Sequence, residues 1–322
     1  MDWTIKNINI SKLLGRHEIS WELSPTVNIL GGPNGSGKST ILRAIYAALA
    51  EKTTLSEEIA CRFDYIQILF KNGNTEFLNR AYDPSAKDTA KEEDKSRKMK
   101  DWEGKGFKMV KIRLQDLDIP ARPENFRAIY INSADQIASN ASLFIQDSSL
   151  QDKGNLTYLD LLIERELNRY NQLFTQHTQK VFQTPEDFRA PVLFRLKELF
   201  DKFAGSLRHF MPDYKIADMS SLKFERDDRE DGFEHPFSFT CLSTGEKQLV
   251  YLLLTVTNTL ESPTLLLLDE ADLGMHIDWK KILLRELRAI NPNMQIIAAT
   301  HSPSLIEGWY SNVREIKELY KD

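Results

Sequence analysis

The chain has 322 residues, 41% hydrophobic and 28% charged, with a formal net charge of −5. That balance is ordinary for a soluble globular protein with a sizeable core, and it supplies no overall basic field of the kind that holds nucleic acid. Two cysteines, Cys61 and Cys241, make no disulfide framework and sit too far apart for a metal clip. No apolar run approaches the ~20 residues of a membrane span, and Met1-Asp2-Trp3-Thr4 opens no leader pattern. A cytoplasmic protein without direct membrane insertion is expected. A local basic patch, and with it contact with DNA, stays open.

Residues 1–30 read as strands. Ile5, Ile8 and Ile10 alternate with polar residues, Ile19 to Leu23 alternate again, and Gly15-Arg16-His17 turns between them. Val27-Asn28-Ile29-Leu30 runs into a glycine-rich loop, and Ile41 to Leu49 has helical spacing. Residues 61–82 form strands around a Lys71-Asn72-Gly73-Asn74 turn. Residues 83–108 are a charged insertion of mixed sign that reads as solvated. Arg127 to Asn132 returns to strand. Residues 157–211 are helical by pattern, with Pro185 and Pro191 dividing them. Leu222 to Phe239 reads as a hairpin with an acidic Asp227–Asp231 tip, so 140–235 is expected to be a helical subdomain plus a hairpin. Helix, buried strand, helix, strand and helix follow.

Four motifs carry chemistry. In Gly32-Pro33-Asn34-Gly35-Ser36-Gly37-Lys38-Ser39-Thr40 the glycines let backbone N–H groups curl around phosphate oxygens, and a helix N-terminus adds positive potential. Lys38 then reaches the β- and γ-phosphates and the Ser39 hydroxyl ligates Mg²⁺. Such a loop alone does not choose among nucleotide triphosphatase classes. Thr264-Leu265-Leu266-Leu267-Leu268-Asp269-Glu270 reads as a strand buried on both faces, ending in Asp269, which would hold Mg²⁺ directly or through water, and Glu270, placed to orient or deprotonate the attacking water. A core strand with a polar cap is the plainer alternative. In Leu242-Ser243-Thr244-Gly245-Glu246-Lys247-Gln248, Ser243 and Gly245 open a helix, an arrangement that fits an anion and fits an ordinary N-cap as well. Ile296 to Pro303 places His301 after an apolar strand, as a γ-phosphate sensor or as a structural histidine.

In this order the motifs resemble the ABC-ATPase superfamily, and within it the soluble branch of chromosome-maintenance and recombination ATPases and the ATPases of Septu-, retron- and OLD-type anti-phage systems. Glu246 stands where transporters usually carry Gly-Gln, and Ala271 and Asp272 replace the branch's usual Pro and Glu. The likeness covers roughly 1–50 and 235–310. It implies an α/β P-loop fold of ABC type over 1–322, a mixed central sheet with an N-terminal antiparallel layer and a helical subdomain. It further implies ATP and Mg²⁺ as ligands, ATP hydrolysis, and a homodimer in which the loop of one copy faces Ser243, Gly245 and Glu246 of the other across ATP. Gln136 is the candidate for the glutamine that helps hold Mg²⁺ and the attacking water; a plain loop residue is the alternative. The resulting expectation is an ATP-driven switch acting on a separate effector protein or on DNA, in phage defence or DNA maintenance. No acidic metal cluster follows His301, so a fused nuclease is not expected. The alternative is the nucleotide-binding subunit of an ABC transporter, against which the long middle region and the Ser-Thr-Gly-Glu ending count.

Overall fold

The computed structural model describes residues 3–49, 63, 65–72, 75–82, 108–113, 123, 125–133, 156–226 and 235–321. Cys61, Gln136, the acidic hairpin tip and all but the last residue of the charged insertion 83–108 lie outside them. In chain order the elements are β1 (Thr4–Leu13), β2 (His17–Glu22), β3 (Val27–Gly31), α1 (Lys38–Leu49), β4 (Tyr65–Asn72), β5 (Thr75–Tyr82), β6 (Lys108–Arg113) and β7 (Arg127–Asn132). There follow α2 (Tyr158–Gln183), α3 (Arg189–Phe210), β8 (Tyr214–Asp218), β9 (Lys223–Arg226), β10 (Phe237–Ser238), α4 (Thr244–Thr257) and β11 (Thr264–Asp269). The chain continues through α5 (Ile277–Ile290), β12 (Met294–Ala299), α6 (Pro303–Ile306), β13 (Val313–Glu315) and β14 (Tyr320–Lys321). It divides into two compact units: Met1–Asn132 with Ser262–Ala271 and Asn293–Asp322, and Ser133–Glu261 with Asp272–Pro292.

Among its described residues the first unit holds two sheets. One is five-stranded, ordered β13-β3-β12-β11-β7, with every neighbouring pair parallel. The strands β3, β11 and β12 are buried along their whole length, as a parallel sheet covered on both faces requires. The other is six-stranded, ordered β14-β2-β1-β4-β5-β6, and antiparallel except between β5 and β6. This is the expected N-terminal layer, with a bulge between Ile5 and Asn7. Ile8, Ile10, Trp21, Ile66, Ile68 and Phe70 of that layer share one apolar core with Ile41, Leu42, Ile45 and Ala48 of α1 and with Leu265, Leu267 and Ile297 of the parallel sheet. Helix α1 is therefore apolar around most of its circumference and is held on several sides. Truncating one such side chain, as in Ile45→Ala, costs about 2–5 kcal/mol. Buried Gln295 on β12 ties the two sheets together. Its amide accepts from the Ile5 N–H (2.8 Å) and donates to the carbonyls of Ile5 and Ser24 (2.8 Å each).

Among its described residues the second unit holds four α-helices and the three-stranded sheet β10-β9-β8. Thr157 caps α2 in a capping box with Asp160, and Asp160 also pairs with Lys247 of α4 at 2.8 Å. From Leu249 to Thr257 every residue of α4 is buried. Asn258 just beyond it donates to Glu166 on α2, at 2.9 Å to the carbonyl and 3.1 Å to Oε2. Pro185 does break the helical region, but Pro191 does not. Pro191 sits in the first turn of α3, where no N–H bond is lost and the ring meets no preceding turn. The hairpin is present as β9 and β10, and gains a third strand, β8, that hydropathy did not single out. Strands β13 and β14 after the histidine motif were likewise not anticipated. Among the described residues no helix is long and apolar enough to cross a membrane.

Candidate functional site

Parallel pairing fixes where the motifs end. Asp269 of β11 is in register with Asn132 of β7 on one side and Ala299 of β12 on the other, and Ala299 is in register with Leu30 of β3. The Asp-Glu pair, the Thr-His turn and the glycine loop thus all leave the carboxyl edge of one sheet, the edge where open α/β sheets bind ligands.

The loop turns through Gly32, Gly35 and Gly37 with φ of 139°, 74° and 102°, a region costly for any residue with a Cβ. Pro33, Asn34 and Gly35 are exposed. The Ser36 hydroxyl is buried and has no hydrogen-bond partner. Lys38, Ser39 and Thr40 form the first turn of α1. The Lys38 ammonium, largely buried, donates to the carbonyls of Gly32 (2.8 Å) and Pro33 (3.1 Å) and lies 2.8 Å from His301 Nε2. Burial pulls the Lys38 ammonium below the ordinary lysine value, against the opposing pull of Glu270, Asp269 and Glu315.

Glu270 follows β11 with φ of 53°, a left-handed conformation that costs a non-glycine residue ~1–3 kcal/mol. Its N–H donates to the Ala299 carbonyl at 2.8 Å, which pins the turn. His301 Nε2 is 3.4 Å from Glu270 Oε1 as well as 2.8 Å from Lys38. An ammonium only donates, so the shorter contact requires an unprotonated Nε2 and places the ring proton on Nδ1. The longer contact is then mere proximity.

The Ser39 hydroxyl donates to Asp269 Oδ1 at 2.9 Å, so a hydroxyl and a carboxylate already meet beside the phosphate loop. These hard oxygen donors suit Mg²⁺. The unpartnered Ser36 hydroxyl and the N–H groups of the loop suit phosphate oxygens. The residues present therefore fit both groups. Sequence reasoning missed Tyr130, whose hydroxyl donates to Asp269 Oδ2 at 2.7 Å, and Arg43, whose Nε donates to that hydroxyl at 3.2 Å. Burial first, and then the Asp269 charge, push the Tyr130 phenol well above its usual range. The available signal was a tyrosine inside an apolar strand, since a buried phenol needs a partner.

The signature residues lie in the second unit. Ser243 is the N-cap of α4; its hydroxyl accepts from the Glu246 N–H (3.4 Å), and the Ser243 N–H donates to Glu246 Oε2 (2.7 Å). The other Glu246 oxygen accepts from the Tyr214 hydroxyl at 2.9 Å. Burial opposes ionisation of Glu246, but these bonds outweigh it and hold the carboxyl below its ordinary value. Glu246 thus sets the helix terminus, while Ser243 and Thr244 remain exposed. Gly245 has no room for a side chain: a Cβ there would lie 2.9 Å from the Gly274 carbonyl oxygen. The structure therefore brings together Lys38, Ser39, Asp269, Glu270 and His301. It places Ser243, Gly245 and Glu246 at one helix start.

A parallel sheet with a phosphate loop, an Asp-Glu strand end and a following histidine defines a P-loop ATPase of α/β class. The chain belongs to the family described as "AAA domain, putative AbiEii toxin, Type IV TA system", which matches residues 27–307. It is 23% identical over 318 residues to the Septu protein PtuA of Bacillus thuringiensis, covering 94% of this chain and 73% of that protein. It is 36% identical over 76 residues to the "Retron Vc95 probable ATPase" of Vibrio cholerae serotype O1 biovar El Tor, which spans 20% of this chain and 15% of that protein. Among solved structures, an Smc head bound to the C-winged helix domain of ScpA has a similar fold, with a TM-score of 0.51 and 15% identity over 97% of this chain and 94% of that one.

Proposed function

We propose that this chain binds and hydrolyses ATP with Mg²⁺, and that ATP closes two copies into a dimer that switches a separate partner in anti-phage defence. The single observation that carries the reading is the convergence of Lys38, His301 and Glu270 at 2.8 and 3.4 Å beside the Ser39–Asp269 pair. The likeness to the Septu and retron proteins supports the defence setting.

Lys38 holds two loop carbonyls and a histidine lone pair, contacts that the β- and γ-phosphates of ATP would replace. Its departure frees His301 Nε2 to face the γ-phosphate or Glu270. Ser39 and Asp269 would hold Mg²⁺, which supplies neutralisation of phosphate charge as the terminal bond breaks. Glu270, with its side chain partly open to solvent, accepts the proton of the attacking water. The strained turn at Glu270 supports this role, because such strain persists where it orients a reacting group. The exposed helix start at Ser243 supplies N–H groups for the γ-phosphate of a second copy's ATP. A ligand that touches both copies favours the closed dimer, and hydrolysis releases it. This is an isologous arrangement.

The test is molar mass by light scattering on the Glu270→Gln variant. A dimer with ATP, a monomer with ADP, and no ATP dimer in the Ser243→Arg form of that variant support the switch. A mass unchanged by ATP, with ATP binding intact, refutes it.

A further inference from the structure

Asp269 is gripped from two sides within one unit. Ser39 Oγ donates to Oδ1 at 2.9 Å and the Tyr130 hydroxyl donates to Oδ2 at 2.7 Å. Arg43 Nε donates to the same hydroxyl at 3.2 Å. The proton direction is unambiguous. A guanidinium has no acceptor and an ionised carboxylate has no donor, so the phenol must accept from Arg43 and donate to Asp269. The ring itself is placed by packing, with Tyr46 at 5.6 Å between centroids. Arg43 and Tyr46 are both on α1, the helix that begins with Lys38 and Ser39. Tyr130 is in register with Leu267 on the neighbouring strand, two residues before Asp269, so its phenol reaches along the sheet to the strand end.

The geometry points to Tyr130 as a positioning residue that holds the Asp269 carboxylate with Oδ1 toward the Ser39 hydroxyl, with Arg43 orienting the phenol. The inference rests on the assignment of Ser39 and Asp269 as the Mg²⁺ ligands. Without the phenol, the Asp269 carboxylate loses the bond on Oδ2 and keeps the one from Ser39 on Oδ1, so the Ser39–Asp269 pair is less firmly preset. Partners of this kind, one step behind a metal ligand, change metal affinity about 10–100-fold when removed. The circuit also links α1 to β7 and, through the phenol, to the end of β11.

Tyr130→Phe keeps the ring and deletes only the donor. The measurement is the affinity of a fluorescent ATP analogue with Mg²⁺ and again in EDTA, together with the paramagnetic resonance spectrum of Mn²⁺ bound with ATP. Wild type should bind more tightly with Mg²⁺. Tyr130→Phe should lose about tenfold of that gain, leave the EDTA affinity unchanged and broaden the bound Mn²⁺ signal. Arg43→Gln should move the same readouts the same way by less, and thermal melting shows that both variants fold. An unchanged Mg²⁺ gain in Tyr130→Phe overturns the inference. Equal losses with Mg²⁺ and in EDTA do so too, because they mark a residue that only supports the fold. If wild type itself gains nothing from Mg²⁺, and Asp269→Asn matches it, the underlying ligand assignment fails instead.

Discussion

The carboxyl edge of the parallel sheet and the far end of the α2–α3 pair are built on opposite terms. At the sheet edge, polar atoms from β7, β11, α1 and the loops after β3 and β12 meet at hydrogen-bonding distances, and an apolar core packs around the helix that carries Lys38. At the far end of the helix pair, Phe182, Phe188 and Phe194 stand 77%, 69% and 66% exposed. In the first region most polar groups find partners above an apolar core, and the buried Ser36 hydroxyl is left without one. In the second, apolar side chains at the adjoining ends of α2 and α3 stand exposed. The contrast teaches that motif spacing reports local polar geometry well and that apolar periodicity reports burial only where a partner element exists.

The sharpest test of that contrast is to damage each region in turn. Lys38→Ala should lower ATP turnover at least ~100-fold, as loss of a preorganised phosphate donor does, with thermal stability held. Phosphate release and melting curves check it. The double change Phe182→Ser and Phe188→Ser should leave turnover within twofold (roughly what ~0.4 kcal/mol allows). Turnover that follows the phenylalanines and ignores Lys38 would reverse the assignment of the two regions.

Gly245→Ala comes next. The added Cβ would meet a backbone carbonyl at 2.9 Å, which cannot step aside as a side chain could. A loss of about 1–3 kcal/mol is expected in urea unfolding. Ser243→Ala, which deletes the cap, should cost ~1 kcal/mol by the same assay.

Glu246 gives a pH signature at the same helix start. Its folded pKa lies below the ordinary glutamate value of 4.5, so folding favours the ionised form. The stabilisation is complete above about pH 4.5 and fades as pH falls through the folded value. Wild type should therefore lose its advantage over Glu246→Gln as acid is added, and a constant gap between the two down to acid unfolding would contradict the capping role. The smallest effect belongs to the exposed phenylalanines, whose replacement by serine should change unfolding free energy by no more than ~0.5 kcal/mol each.

Much of the sheet edge was legible from residue types. Gly32 to Ser39, Asp269-Glu270 and His301 each follow an apolar strand, and parallel pairing then brings strand ends together. Tyr130 and Arg43 were not legible, because a tyrosine in a strand and an arginine in a helix carry no spacing rule; only the register beside Leu267 joins them to Asp269. Leu193, Leu199, Phe200 and Phe203 show the same limit for packing. All fit one helical pattern, yet Leu199 and Phe203 are buried while Leu193 and Phe200 are exposed. The pattern finds a helix; which stripe is covered depends on neighbours far away in sequence. Glu246 was read as a nucleotide contact, and the structure gives both of its oxygens work within its own unit.

The central claim is that Lys38, Ser39, Asp269, Glu270 and His301 form one ATP-hydrolysing site. Its most direct test is phosphate release from ATP by wild type beside Glu270→Gln, with nucleotide affinity measured on the same samples. Wild type should turn over ATP, and the variant should fall by about 10²–10⁴-fold with ATP affinity preserved. Equal turnover by the two proteins would contradict it.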